Sequence, residues 1–238
     1  EDIYVRCYDP DGNELWTTQF GSPKFEEALG ATIDATGIYL TGATGGQIGD
    51  DPRVGNTDAW FGKLSLDGDL LYTNQFGSRN IDFNHGIAVD GTNIYSLGRT
   101  EGRYPGEKSR GGSDAVVSAW SGNGSTMLWS DQFGTEDGDS GQAIIASDSG
   151  IFAIGSLNGK SEKHGEITNL EDGYLRQYSP TGKLVWSDEL ATVAYDEPRD
   201  LIIVNNILYV LGRTGGVFAG ESNAGAWDMF LARYSLED

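Results

Sequence analysis

The chain is built from a segment that repeats about every 56 residues. Each copy opens with an aspartate followed by alternating apolar residues, and the copies begin at Asp2, Asp58, Asp114, Asp172 and Asp228. A fixed period of this size, made of short alternating segments, is typical of repeat folds such as the β-propeller. The period therefore constrains the fold more than any single residue does.

One copy of the repeat, residues 58–113, reads as four short strands. The first two strands flank the dipeptide Asp67-Gly68, which is a strong hairpin signal between alternating segments. The last two strands flank a second such turn at Asp90-Gly91. Four antiparallel strands per unit make one blade of a propeller. We therefore predict an all-β fold, a β-propeller of four-stranded antiparallel blades, with four blades as the expected number.

The whole chain is expected to form a single propeller domain. Its units are residues 2–57, 58–113, 114–171 and 172–227, with an extra strand at 228–238. The least polar strand of each unit, such as Gly86–Asp90, is expected to lie innermost and is called strand A. The order in each unit is then A, B, long loop, C, D, with the Asp-initiated segment as strand C.

The count of strands is uneven, because the chain holds five C strands and four of each other kind. A closed ring of four blades would use the D strand at 15–20 to complete the last blade, since closure leaves the fewest exposed edges. One C segment, 2–9 or 228–235, would then be spare. The spare strand would lie at an edge, pair with a partner chain, or indicate a ring with more blades.

The repeat resembles the bacterial SBBP-type β-propeller repeat. The residues that carry this resemblance are Asp58-Ala59-Trp60, Gly68, Tyr72, Phe76-Gly77, Gly86-Ile87-Ala88-Val89-Asp90 and Tyr95-Ser96-Leu97-Gly98. The resemblance implies a secreted or surface-associated bacterial protein, extracellular or periplasmic, and implies no single activity. The name of the family also implies seven blades, whereas this chain holds about four units.

The charge balance narrows the classes of partner. The chain has 16 Lys and Arg against 36 Asp and Glu, a formal net charge of −20. Nucleic-acid binding and adhesion to an anionic membrane both need a basic face, so this composition argues against them. No apolar run is long enough to insert in a membrane. An acidic surface suits a protein kept in solution by self-repulsion, or one that binds cations.

Loop lengths predict which end of the propeller carries a site. The turns that join A to B and C to D are short, whereas the connections at the other face are long and differ between units. Long loops on a rigid scaffold are where binding usually occurs. These loops are 45–57, 101–113, 157–171 and 215–227, with the shorter connections 22–29, 78–85, 135–142 and 192–199.

An acidic residue precedes strand A at the same position in every unit. The four are Glu26, Asp82, Asp139 and Asp196. Carboxylates that converge on a channel axis would suit Ca²⁺, which takes six to eight oxygen ligands. The alternative is that each acid caps its own loop by accepting backbone N–H bonds. Repetition is expected from both interpretations.

The next position toward the channel and two loop aromatics are candidate ligand contacts. The channel position holds Leu29, His85, Gln142 and Arg199, of which the last three are polar. Tyr104 and Trp227 lie in the long loops and could stack on a sugar or another small ligand. By contrast, the repeated D-strand aromatics are expected to pack between blades. These aromatics are Trp16, Tyr72, Trp129 and Trp186.

No catalytic motif stands out in the sequence. Only His85 and His164 are present, which limits a Ser–His–Asp triad. The carboxylate pairs Glu26/Glu27 and Asp137/Asp139 could serve a carbohydrate-active enzyme, and this is the least favoured hypothesis. The leading hypothesis is a non-catalytic scaffold that joins a protein partner, or another copy of itself, through the loop face or the spare strand. The alternative is a lectin-like binder of carbohydrates or small ligands, either with or without Ca²⁺.

Overall fold

The computed structural model describes residues 1–161 and 168–236, and all regular secondary structure in this part of the chain is β. The strands are β1 Ile3–Tyr8, β2 Glu14–Phe20, β3 Glu26–Asp34, β4 Gly37–Thr44, β5 Asp58–Leu64, β6 Leu70–Phe76, β7 Asp82–Val89, β8 Asn93–Thr100, β9 Asp114–Ser121, β10 Met127–Phe133, β11 Ser140–Ser147, β12 Gly150–Ser161, β13 Thr168–Tyr178, β14 Leu184–Leu190, β15 Asp196–Val204, β16 Ile207–Thr214 and β17 Asp228–Ser235. No helix that could cross a membrane occurs among the described residues.

Three complete blades form the centre of the molecule. Strands β3–β6, β7–β10 and β11–β14 each make a four-stranded antiparallel sheet in the order A, B, C, D. The C–D hairpin of the first blade turns at Gly68, whose φ of 91° is accessible to glycine at little cost. The predicted fold class, an all-β propeller of four-stranded blades, is confirmed by this sheet topology.

The blades pack face to face, and the A strands β3, β7, β11 and β15 contact one another in series. Between the second and third blades, Leu97 and Val117 pack against Ile144 in one apolar cluster. The D-strand aromatics lie at the outer end of the same junctions. Trp129 stacks on Tyr178 of the next blade, with ring centroids 5.8 Å apart. The prediction that these aromatics pack between blades is correct for this junction.

The two ends of the chain form incomplete sheets. Strands β1 and β2, a C–D pair, make a two-stranded sheet, whereas β15, β16 and β17 make a three-stranded A–B–C sheet. The expected closure is therefore wrong in one respect, because β2 pairs with β1 and does not complete the sheet of β17. Ile3 of β1 is buried against Leu40 and Trp60 of the first blade, which holds the β1–β2 sheet in place.

The expected long loop at 157–171 is largely a strand extension. Strands β12 and β13 continue their ladder from Leu157↔Asp172 to Ser161↔Thr168. The segment is largely polar, and an extended hairpin satisfies its backbone groups as well as a loop would. Its tip at 162–167, which includes His164, lies outside the described residues, as does 237–238.

Candidate functional site

The A strands surround a central cavity of about 360 Å³. Its lining includes Leu29, His85, Gln142 and Arg199, one from each A strand, which agrees with their predicted common position. The imidazole Nδ1 of His85 lies 2.9 Å from the carbonyl oxygen of Gly141, which fixes the ring toward the next blade. Burial lowers the pKa of His85, so its neutral form is favoured.

The four acids that precede the A strands are buried and serve their own loops. Each accepts a hydrogen bond from the backbone N–H four residues earlier. The bonds run from Ser22 to Glu26 (2.9 Å), Ser78 to Asp82 (2.7 Å), Thr135 to Asp139 (2.5 Å) and Thr192 to Asp196 (2.5 Å). A Ser or Thr hydroxyl donates to the same carboxylate in each case. The geometry therefore fits the loop-capping alternative.

The same acids are not gathered into one metal-binding group. Among residues 1–161 and 168–236, no cluster of three or more His, Cys, Asp or Glu side chains is placed to hold a metal ion. Ca²⁺ binding by Glu26, Asp82, Asp139 and Asp196 stays a prediction that these contacts do not test.

Burial raises the pKa of three of these carboxyl groups, Asp82, Asp139 and Asp196. The pKa of Asp82 is raised to about 6, mainly because burial removes water from the charged form, and the nearby charge of Asp58 adds to the shift. Burial likewise raises the pKa of Asp139 to about 6, with Asp114 as its acidic neighbour. The two junctions of the second blade thus each bring a C-strand aspartate of one blade close to the A-strand acid of the next.

The aspartates that open the C strands anchor the long loops. Asp58 accepts the backbone N–H groups of Val54 and Gly55 at 2.8 and 2.6 Å. Asp114 accepts the N–H of Arg110 at 2.9 Å in the same way. These bonds tie the end of each B–C loop to the start of strand C.

A glutamine in strand D completes this anchor, and sequence reasoning missed its role. Gln75 Nε2 donates to Asp58 Oδ2 (2.6 Å) and to the Gly46 carbonyl (2.8 Å). Its Oε1 accepts the backbone N–H of Ile48 at 3.0 Å. We call this set of one carboxylate, one carbonyl and one N–H the glutamine socket. The signal was the repeated Gln-Phe-Gly, which marks the end of three D strands.

The second blade has the same socket around Gln132. Its Nε2 donates to Asp114 Oδ2 (2.6 Å) and the Gly102 carbonyl (2.9 Å), and its Oε1 accepts the N–H of Tyr104 (3.0 Å). Tyr104 is only 2% exposed and packs against Phe76. The prediction that Tyr104 is an accessible ligand contact is therefore wrong, because its position corresponds to the buried Ile48.

Trp227 is exposed, as a ligand contact requires, but its ring already has neighbours. The indole is 45% exposed. The Arg213 guanidinium lies 4.5 Å from its ring centroid, a cation–π distance, and the Tyr195 ring is 6.3 Å away. Arg213 also donates to Glu197, which binds Arg199 as well. The structure thus links Trp227 with Arg199, at the edge of the channel, through Arg213 and Glu197.

The last sheet, β15–β17, exposes an apolar surface on the side away from the third blade. Met229 is 92% exposed and Leu231 is 67% exposed, and Leu211 and Ile202 are also exposed. We call these four residues the trailing face. In the three complete blades the position of Leu231 is held by Phe61, Val117 and Leu175, all fully buried against the following blade.

These features define an arc of β-propeller blades whose last sheet has an uncovered blade-packing surface. No family model matches the chain. Over 102 residues the chain is 29% identical to "Regulatory protein FlaEY" of Caulobacter vibrioides, a match that covers 39% of this chain and 11% of that protein. The chain thus spans about a tenth of the length of this curated relative.

Two solved structures align with most of this chain, both with low TM-scores and low sequence identity. The Pan2 WD40 domain of Neurospora crassa has a TM-score of 0.46 and 11% identity, covering 89% of this chain and 63% of that one. A glycosyl hydrolase from Bacteroides ovatus has a TM-score of 0.30 and 10% identity, covering 97% and 88%. The sheet order of the chain itself, rather than these likenesses, identifies the fold.

Proposed function

We propose that this chain is a non-catalytic interaction scaffold that presents its loop face to a protein partner. The observation that carries the proposal is that the long B–C loops of the first two blades are held on their sheets, because Gln75 and Gln132 each bind a loop carbonyl and the C-strand aspartate. Binding residues commonly lie on loops that a rigid scaffold holds in place.

The loop face offers a partner exposed apolar side chains on ordered backbone. Val54 lies in the first long loop and is 43% exposed. Its N–H group donates to Asp58, so the loop loses little conformational entropy when a partner covers it.

A capture experiment with matched variants tests this function. Purified wild type, Val54→Asp and Leu71→Asp would be immobilised and exposed to extract of the source cells, and each captured protein would be purified and retested. Leu71 is exposed on β6 and lies outside the long loops. We expect a purified partner that binds wild type and Leu71→Asp but not Val54→Asp. Equal binding to all three would exclude the loop at 45–57 as the site.

A second candidate is a small polar ligand in the central cavity, which is the lectin-like alternative. The observation in its favour is that His85, Gln142 and Arg199 line one cavity of about 360 Å³. A cavity of this size is at the lower end for small-molecule sites. A glycan array and a small-molecule thermal-shift screen, each repeated with Gln142→Ala, test it; hits that the variant does not lose would argue against the cavity.

Two further proposals concern family and location. The matching Asp58-Ala59-Trp60 and Gly86–Asp90 segments support membership of the SBBP-type repeat proteins, and that resemblance supports a secreted or surface location. Fractionation of the source cells with an antibody against the chain tests the location. Recovery in the cytoplasmic fraction alone would contradict it.

A further inference from the structure

Three arginines of the loop face lie together where the first two blades meet. Arg53 is in the long loop of the first blade, Arg79 is in the connection that enters the second blade, and Arg103 is in the long loop of the second blade. All three residues are exposed. We call them the arginine patch. Its position within two complete blades makes it a feature of the propeller itself.

Backbone hydrogen bonds hold the three segments of the arginine patch in contact. The Asn56 N–H donates to the Asn80 carbonyl at 2.9 Å, which joins the first long loop to the connection into the second blade. The Asn80 Nδ2 donates to the Glu101 carbonyl at 2.8 Å, and the Glu101 N–H donates to the Ile81 carbonyl at 2.9 Å. The arginine patch is therefore carried on ordered backbone, which lowers the entropic cost of binding.

The guanidinium groups of the arginine patch have donors to spare. Within residues 1–161 and 168–236, no acidic side chain forms an ion pair with any of the three arginines. The hydrogen bonds that Arg53 makes to these residues come from Nη2, which donates to the Gly55 and Asn56 carbonyls at 3.0 and 2.8 Å. A guanidinium carries five N–H donors, so the others can bind a ligand.

The surrounding loops reverse the charge balance of the chain. Acids outnumber cations 36 to 16 in the whole sequence. In the segments 45–57, 78–81 and 101–113, two acids, Asp51 and Glu107, are half-buried and accept hydrogen bonds from the Gln75 N–H and the Ser130 hydroxyl. The exposed charged residues of these segments are the cations Arg53, Arg79, Arg103, Lys108 and Arg110 and the acids Asp50 and Glu101. This part of the loop face is therefore positive.

Comparison of the repeats shows that the blade does not need these cations in order to fold. By repeat position, Arg79 and Arg103 correspond to Pro23 and Gln47 one unit earlier, and both of those residues are uncharged. The long loops of the two units nevertheless have the same glutamine anchor. The positive charge of the second unit therefore serves something other than the loop structure.

We propose that the arginine patch binds an acidic segment of a partner protein, one that presents Glu or Asp carboxylates. The proposal rests on the scaffold function above and names the chemistry of the partner. A guanidinium binds a carboxylate through paired, charge-assisted hydrogen bonds. Arginine is also enriched in protein interfaces. Val54, which is 43% exposed, follows Arg53 directly and favours a protein segment, whose apolar side chains could cover it, over a polysaccharide.

The net charge of −20 confines this binding to short range. At physiological ionic strength the Debye length is about 8 Å, so a bound carboxylate responds mainly to the arginines that it touches. Acids on the opposite face, such as Asp67 and Asp69 in a short turn, are screened from it. Salt at about 1 M shortens the Debye length to about 3 Å and should weaken the binding as well.

A labelled peptide tests the chemistry of the arginine patch. A short fluorescein-labelled peptide that alternates Glu with Ala, and the same peptide with Gln in place of Glu, would be titrated with protein and followed by fluorescence anisotropy. The proteins are wild type, Arg79→Glu, Arg103→Glu and the control Lys183→Glu. Lys183 is an exposed cation in a turn of the opposite face, so the control makes the same change in net charge.

The expected result is selective loss of binding. Wild type and Lys183→Glu should bind the Glu peptide and not the Gln peptide. Arg79→Glu and Arg103→Glu should each bind the Glu peptide at least tenfold more weakly, because a carboxylate loses a charge-assisted hydrogen bond and meets a like charge.

The contrary outcomes separate this proposal from the scaffold function. No binding of the Glu peptide by wild type, or equal binding by all four proteins, would overturn the proposal. Tighter binding of heparin than of the Glu peptide would indicate a polysaccharide and would also overturn it. Light scattering that shows self-association of wild type, abolished by Arg79→Glu, would replace the partner protein with a second copy. A captured partner that requires Val54 but not Arg79 would leave the scaffold function standing without the acidic contact.

Discussion

The protonation of Asp82 gives a quantitative prediction about the blade junctions. Its carboxyl group is buried, and its pKa is about 6 in the folded chain, compared with about 3.9 when unfolded. Below pH 4 the Asp82 carboxyl group is protonated in both the folded and the unfolded chain, so burying it does not require burying a charge. As the pH rises through 6, the carboxyl group ionises while it is buried, and its contribution to the free energy of unfolding is lost.

The size of the effect follows from the shift. About two pH units at about 1.36 kcal/mol per unit give about 3 kcal/mol lost between pH 4 and pH 7 for Asp82. Asp139, with a pKa also of about 6, contributes a similar loss. These figures are upper values, because relaxation around a buried charge lowers its cost. The free energy of unfolding should therefore fall as the pH rises through this range.

Replacing Asp82 by Asn removes the charge and keeps the shape. The amide oxygen can still accept the Ser78 N–H and hydroxyl bonds that hold the loop. We expect Asp82→Asn to be about 1–3 kcal/mol more stable than wild type at pH 7.5, with a smaller loss between pH 4.5 and pH 7.5. Urea unfolding at both pH values measures these differences.

Asp90→Asn is the matched control with the opposite sign. Although burial opposes the shift, hydrogen bonds from the Tyr95 hydroxyl and the Asn93 backbone lower the pKa of Asp90. Its charged form is therefore stabilised in the fold, and Asp90→Asn should lose stability at pH 7.5. A wild type that becomes more stable from pH 5 to pH 7, or an Asp82→Asn variant weaker than wild type at pH 7.5, would refute the reasoning.

Three further outcomes are expected. Gly77→Ala should lower the free energy of unfolding by about 2–4 kcal/mol in urea, because φ is 145° and a Cβ would lie 2.7 Å from Asp82 Cγ; a loss below 1 kcal/mol would contradict this. Gln132→Ala should lower the free energy of unfolding in urea by about 2–3 kcal/mol, since Asp114 and the Tyr104 N–H lose a buried partner. An unchanged urea midpoint would show that the glutamine socket does not stabilise the fold. Millimolar Ca²⁺ tests the calcium prediction: a rise in Tm that Asp82→Asn abolishes would establish the site, and an unchanged Tm would leave the four A-strand acids as caps of their own loops.

The repeat made most of the fold predictable. Alternation and the turn at Gly68 placed the hairpins, and the apolar run at 86–90 identified the inner strand. The loop anchors were predictable because each C strand opens with Asp in the same relation to its loop. The position of Tyr104 could have been found as well, since it aligns with the apolar Ile48 one unit earlier.

The ends of the chain could not be predicted in this way. The segments at 2–9 and 228–235 share one pattern, so local sequence does not decide which of them joins β16; packing of Ile3 under Trp60 does. The glutamine socket escaped prediction because its partners come from three separate segments. Only the folded chain brings Gly46, Ile48 and Asp58 around one side chain.

Hydrogen exchange at the long loops tests the central claim most directly. The Ile48 and Tyr104 amides donate to Gln75 and Gln132, so both should exchange slowly in the wild type. Gln75→Ala should speed exchange at Ile48 and leave Tyr104 unchanged. Fast exchange at both amides in the wild type, or an Ile48 amide that Gln75→Ala does not affect, would contradict the account.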